Sequence, residues 1–134
     1  MTTDRTQQAH PATMNLAAAG SILGAAIAAT REYAEFRAVE QRYQNDTQAQ
    51  ELLSQYQEAQ RTMQLMRQLG NATSDETQRL EELQRALEEN QTLVDYFDAQ
   101  EKLVALLREL NMFISERLNL DFAGLTKPKS GCCG

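Results

Sequence analysis

Reactive side chains are scarce in this chain. Its two cysteines, Cys132 and Cys133, stand together in Gly131-Cys132-Cys133-Gly134. Thiolates bind soft metals and iron–sulfur clusters, and flanking glycines free the backbone to wrap an ion. Two neighbouring thiols supply at most two ligands, so a four-thiolate site needs two chains. The bland alternative is an incidental or reactive thiol pair. A disulfide between sequence neighbours is strained and closes almost no loop, so this pair is no structural staple. The C-a-a-X pattern of prenylation is missing. His10, the one histidine, falls in a polar stretch and has no partner fixed by sequence. Glu81-Glu82 and Glu88-Glu89 lie seven apart on one helix face. Carboxylate-bridged metal bundles also need Glu-x-x-His, which the sequence lacks, so these acids read as surface. There is no Gly-rich phosphate loop and no nucleophile–base arrangement. No catalytic or cofactor-binding residue is expected, and the chain is expected not to be an enzyme. The metal candidates are Cys132 and Cys133, shared between chains.

The elements that would position such groups are helices. The 134 residues suit one domain. Only Pro11 and Pro128 are prolines, Trp is absent, and Ala, Leu, Gln, Glu and Arg dominate. These are strong helix formers, and the expected fold class is all-α. Residues 1–14 read as a flexible leader, 15–118 as a helical bundle, and 119–134 as an apolar hook with a flexible cysteine-containing tail. The first helix is expected over Asn15–Gln44, with Leu16, Ala19, Ile22, Leu23, Ala26, Ile27, Tyr33, Phe36 and Tyr43 on one face. The second begins at Asp46 or Thr47, where Thr47 and Gln50 match a capping box. It carries a coiled-coil-like seam of Leu52, Tyr56, Ala59, Met63, Met66 and Leu69, and it ends at Gly70-Asn71. The third starts near Ser74 behind Thr73 and Glu76, with Leu80, Leu83 and Leu87 as its stripe. A break is expected at Asn90–Thr92. The last helix is broadly apolar and closes at Asn119. Leu120, Phe122 and Leu125 follow in a non-helical tail, expected to hook back onto the bundle or onto a second chain.

Four rods in so short a chain make a thin core, so an antiparallel, coiled-coil-like bundle completed by dimerisation is expected. The interface is placed on Leu103, Leu107, Leu110, Ile114, Leu120, Phe122 and Leu125. Net charge is −6, which argues against direct binding to nucleic acid. Residues 75–101 hold Arg79 and Arg85 against nine acids. They read first as a solvated face, second as a dock for a basic partner. Met14–Thr30 is free of charge and could imitate the apolar core of a signal peptide. The helical pattern running through Ala28-Ala29, together with Asp4, favours a packing helix in a cytoplasmic protein. The segment is too short and Ala-rich to span a membrane.

The order of motifs resembles the YlbF/YmcA-like family. The carriers are Ala25-Ala26-Ile27-x-x-Thr30-x-Glu32-Tyr33 and Asp46-x-x-Ala49-x-x-Leu52-Leu53-x-x-Tyr56-x-x-Ala59-Gln60. They continue in Tyr96-x-x-Ala99-x-x-x-Leu103-x-x-Leu106-Leu107 and Ile114-Ser115-Glu116-x-Leu118, then in the Leu120–Leu125 tail with its Gly-Cys-Cys-Gly end. The resemblance implies a small bacterial helical regulator without enzymatic activity. Its members act in complexes controlling biofilm formation, competence and sporulation, linked to ribonuclease Y and messenger-RNA maturation. It also implies an iron–sulfur cluster, whose ligands would map to Cys132 and Cys133. The Ala-rich, uncharged first helix departs from that pattern. The leading expectation is therefore a regulatory adaptor that forms a homo-oligomer, or a hetero-oligomer with related chains, and modulates a protein partner such as a ribonuclease complex. A metal- or redox-sensing module and a coiled-coil, chaperone-like subunit are the alternatives.

Overall fold

A computed structural model describes the backbone of residues 11–127 and the side chains of residues 15–127. Cys132, Cys133 and His10 lie outside them. The described chain is all-α: α1 Pro11–Ala28, α2 Arg31–Gln44, α3 Thr47–Gln68, α4 Ser74–Glu89, α5 Gln91–Leu118 and α6 Phe122–Thr126.

Capping side chains cut the chain into these rods. Asp46 caps α3 by accepting from the Ala49 N–H at 3.0 Å. Gln50 does not complete a capping box with Thr47. Its amide donates instead to the carbonyls of Tyr43 and Gln44 at 2.8 and 2.9 Å, bracing the turn from the other side. At the end of α3, Gly70 takes φ 71°. Gly70 and Asn71 donate back to the Arg67 and Met66 carbonyls, which is the paired-bond geometry that a left-handed glycine closes. Thr73 and Glu76 form the reciprocal capping box at α4. Asn90 ends α4 and caps α5, accepting from the Leu93 N–H at 3.1 Å, so the expected break is present.

Two boundaries differ from the sequence expectation. The single helix over Asn15–Gln44 is two helices, divided at Ala29-Thr30. Thr30 leaves the helical region (φ −74°, ψ 153°) and accepts from the Tyr33 N–H. Its hydroxyl donates to the Ile27 carbonyl at 2.6 Å, so one side chain serves both helix ends. The uninterrupted pattern expected through Ala28-Ala29 is thus not present. The tail after Asn119 is not irregular either. Asp121 accepts from the Gly124 N–H and opens α6.

The helices make two antiparallel pairs. The α3–α4 hairpin turns at Leu69–Thr73. The α2–α5 pair runs antiparallel, because Arg42 meets Asp95 at one end while Lys102 lies in the field of Glu35 and Arg31 at the other. The pairs share a joint at residues 45–49 and 90–93, where Thr92 Oγ1 donates to Asp46 Oδ2 at 2.7 Å. The closest packing is within each pair, α2 with α5 and α3 with α4, and the contacts between the pairs are fewer. Burial is correspondingly small. Among the described residues, Ala49, Met63, Leu93 and Ala99 form the buried core, and Leu93 is the one large side chain that is fully enclosed.

Candidate protein-interaction surface

The joint is the best-made part of the molecule, and its chemistry is structural. Tyr96 of α5 stacks on Tyr43 of α2 with ring centroids 5.0 Å apart, and it also meets Phe36 at 5.7 Å and Phe97 at 5.6 Å. Such pairs add stability beyond simple area burial. Arg42 donates to Asp95 Oδ2 at 3.0 Å, and Gln91 donates to Oδ1 at 2.7 Å. The Gln91 amide and then the Arg42 guanidinium hold the Asp95 carboxyl below the usual carboxylate range. The backbone N–H of Ala49, followed by the Thr92 hydroxyl, lowers Asp46 in the same way. These bonds tie α2, α3 and α5 together at one point. The helical spacing puts Tyr43 and Phe36 on an apolar face without pairing them with Tyr96. No periodicity reports that two helices fifty residues apart bring their rings together.

Away from the joint, apolar side chains stand in water. On α1 every residue from Asn15 to Ala29 except Ile27 is exposed, Leu16 and Ile22 by 73% and 72%. On α5 none of the side chains from Leu103 to Leu118 is fully buried. Of the expected interface residues, Leu103, Leu110 and Ile114 are half-buried against their own chain. Leu107, Leu120, Phe122 and Leu125 are exposed. Met112, Phe113 and Leu118 join that surface. Phe113 also carries the Arg117 guanidinium over its ring at 5.7 Å.

The hook is held by polar groups, which the apolar pattern could not show. Asn111 Oδ1 accepts from the Ala123 N–H at 3.1 Å, and Ser115 Oγ accepts from the Phe122 N–H at 3.1 Å. Asn119 turns the chain at φ 52°. The backbone is thereby pinned to α5 while Leu120, Phe122 and Leu125 face outward. The tail does fold back, and its apolar side chains remain available to another chain.

The acidic segment divides into two parts. Asp95 and Asp98 are paired inside the chain, with Arg42 and Lys102. Glu81, Glu82, Glu88 and Glu89 are exposed on α4, where Gln78 and Gln84 donate to Glu82 and Glu88. The groove along α4 lined by Ser74, Thr77, Gln78, Glu81, Glu82 and Arg85 is open to solvent. Among the described residues, no three His, Cys, Asp or Glu side chains converge as metal ligands, so any metal reading rests on Cys132 and Cys133. No helix of the described residues is long and apolar enough to cross a membrane.

The structure of Bacillus subtilis RicA, solved by X-ray crystallography in complex with RicF, has a similar fold. Its TM-score is 0.67 at 18% identity, covering 79% of this chain and 95% of that one. No match was found among curated protein sequences. The model of the family described as control of competence regulator ComK, YlbF/YmcA, matches residues 18–119. That span holds the caps, the joint and most of the exposed apolar face, and the chain belongs to the YlbF/YmcA family.

Proposed function

We propose that this chain is a non-catalytic regulatory adaptor that works by assembling with itself or with related family members. The observation that carries the reading is the mismatch, among the described residues, between a four-residue core and the exposed apolar faces of α1, α5 and α6. Water penalises such faces, and a protein partner removes the penalty. The family description as a control protein agrees with this role. The similar fold of RicA was captured with RicF, which supports a hetero-oligomer of helical chains. The modulated partner is RNA-processing machinery of the ribonuclease type, in the cytoplasm. Contact is through protein rather than nucleic acid, since the net charge is −6. Mapping messenger-RNA 5′ ends in cells lacking the chain tests this. Altered processing at a subset of transcripts is the expected result, and an unchanged map, with no family member co-purifying, would contradict it.

An iron–sulfur site on Cys132 and Cys133 is a second proposal, because two associated copies would bring four thiolates. Anaerobic purification with iron analysis decides it. Colourless, iron-free protein, indifferent to Cys132→Ser and Cys133→Ser, would end that reading.

A further inference from the structure

The whole chain exposes 11261 Å². A compact monomer of 15.1 kDa exposes about 7,000 Å². Residues 1–10 and 128–134 could contribute at most about 2,800 Å² as extended chain. Roughly 1,500 Å² of excess then belongs to the described residues, nearly twice the ~800 Å² that each partner gives to a standard interface. Most of the large exposed apolar side chains fall on two surfaces. One is α1, and the other is the second half of α5 with α6.

These two surfaces differ in texture. α1 is small-sided: Ala17, Ala18, Ala19, Gly20, Gly24, Ala25 and Ala26 surround Ile22 and Leu23. A Cβ added at Gly20 or Gly24 would meet nothing within 4 Å in its own chain. The α5–α6 surface is large-sided, with Met112, Phe113, Leu118 and Phe122. Large side chains seat well on a small-sided helix, since the two backbones can approach closely. The lengths agree as well. The eighteen residues of α1 span about 27 Å, and Leu103–Leu118 spans about 24 Å, at ~1.5 Å per residue. A lipid surface is a poor cover for α1. Helices that lie on membranes need a charged face, and α1 carries no charge between Met14 and Thr30.

Resting on the adaptor reading above, we propose that two copies of this chain exchange their N-terminal arms. α1 of each copy docks on the α5–α6 face of the other, around Phe113, Leu118 and Phe122. The contact is reciprocal, so a two-fold dimer closes and both uncovered faces are satisfied by one operation.

Photo-cross-linking of the full-length protein tests it. A p-benzoylphenylalanine is placed at position 22, and that protein is mixed with unmodified, isotope-labelled chain. Cross-links into residues 106–125 of the labelled copy are expected. Ile22→Glu and Phe113→Glu should each raise the dimer dissociation constant at least tenfold while leaving far-ultraviolet helicity unchanged. A dimer whose position 22 links to α1 of the other copy, or to α3 or α4, overturns the arm exchange but leaves the adaptor reading standing. So does a dimer that both substitutions leave intact. A chain that is monomeric and fails to bind any family member overturns both.

Discussion

Leu93 is the residue on which the fold turns. It is fully enclosed, and it sits one turn into α5 at the joint, where Asn90 caps the helix. Leu93→Ala removes buried volume that neighbours held by caps and rings cannot refill. The expected cost is about 3 kcal/mol, read from urea unfolding at fixed protein concentration. The carboxylates of the joint set the pH response. Asp46 and Asp95 have lowered pKa values in the folded chain. Their contribution is therefore complete above the ordinary carboxylate value, near ~4, and is lost as pH falls through the folded values. Thermal stability should be level from pH 8 to about 5 and fall below about 4. Asp95→Asn should flatten part of that fall, since an amide no longer titrates. These groups were only partly visible in the sequence. Asp46 and Asn90 were legible as caps, because capping is local. The bonds from Thr92 to Asp46 and from Arg42 to Asp95 cross about fifty residues, and no local pattern encodes them.

Among the elements, those bounded by strong local signals were readable. Thr73 with Glu76, Gly70-Asn71 and Asn119 all end or begin helices as their chemistry dictates. Thr30 was missed because its flanks are strong helix formers and its neighbours are neither Pro nor Gly. Only its hydroxyl, bridging Ile27 and Tyr33, makes the elbow. α6 was missed because its five residues are too few to show a period, although Asp121 before Gly124 is a cap signal. The hook gives this scale its prediction. Asn111 accepts from the backbone of α6, so Asn111→Ala should free the hook without loosening the joint. Hydrogen exchange at Phe122–Thr126 should rise severalfold while exchange around Leu93 stays as in the parent chain. A uniform rise across α5 would show that the hook is part of the global fold instead.

At the scale of the molecule, the sequence led to helices, a thin core and a need for partners. The expectation was an antiparallel bundle of about four long helices completed by dimerisation, and within the described residues the helices form two antiparallel pairs meeting at a joint. Helical periodicity tells which face of a rod is apolar but not what lies against it, so the pairing of α2 with α5 and of α3 with α4 is not legible in it. The candidate interface divided for the same reason. Leu103, Leu110 and Ile114 lean on their own chain, while Leu107, Leu120, Phe122 and Leu125 do not. The uncharged first helix looked like an oddity in the sequence. In the structure it is an exposed apolar element, and together with the α5–α6 face it adds a second surface to the expected association. Sedimentation equilibrium of the purified chain, from about 1 to about 100 µM, tests that account most directly. The account predicts a mass twice the 15.1 kDa of the single chain, persisting to the low micromolar range. A single 15.1 kDa species across the whole range, unchanged when a family member is added, would contradict it.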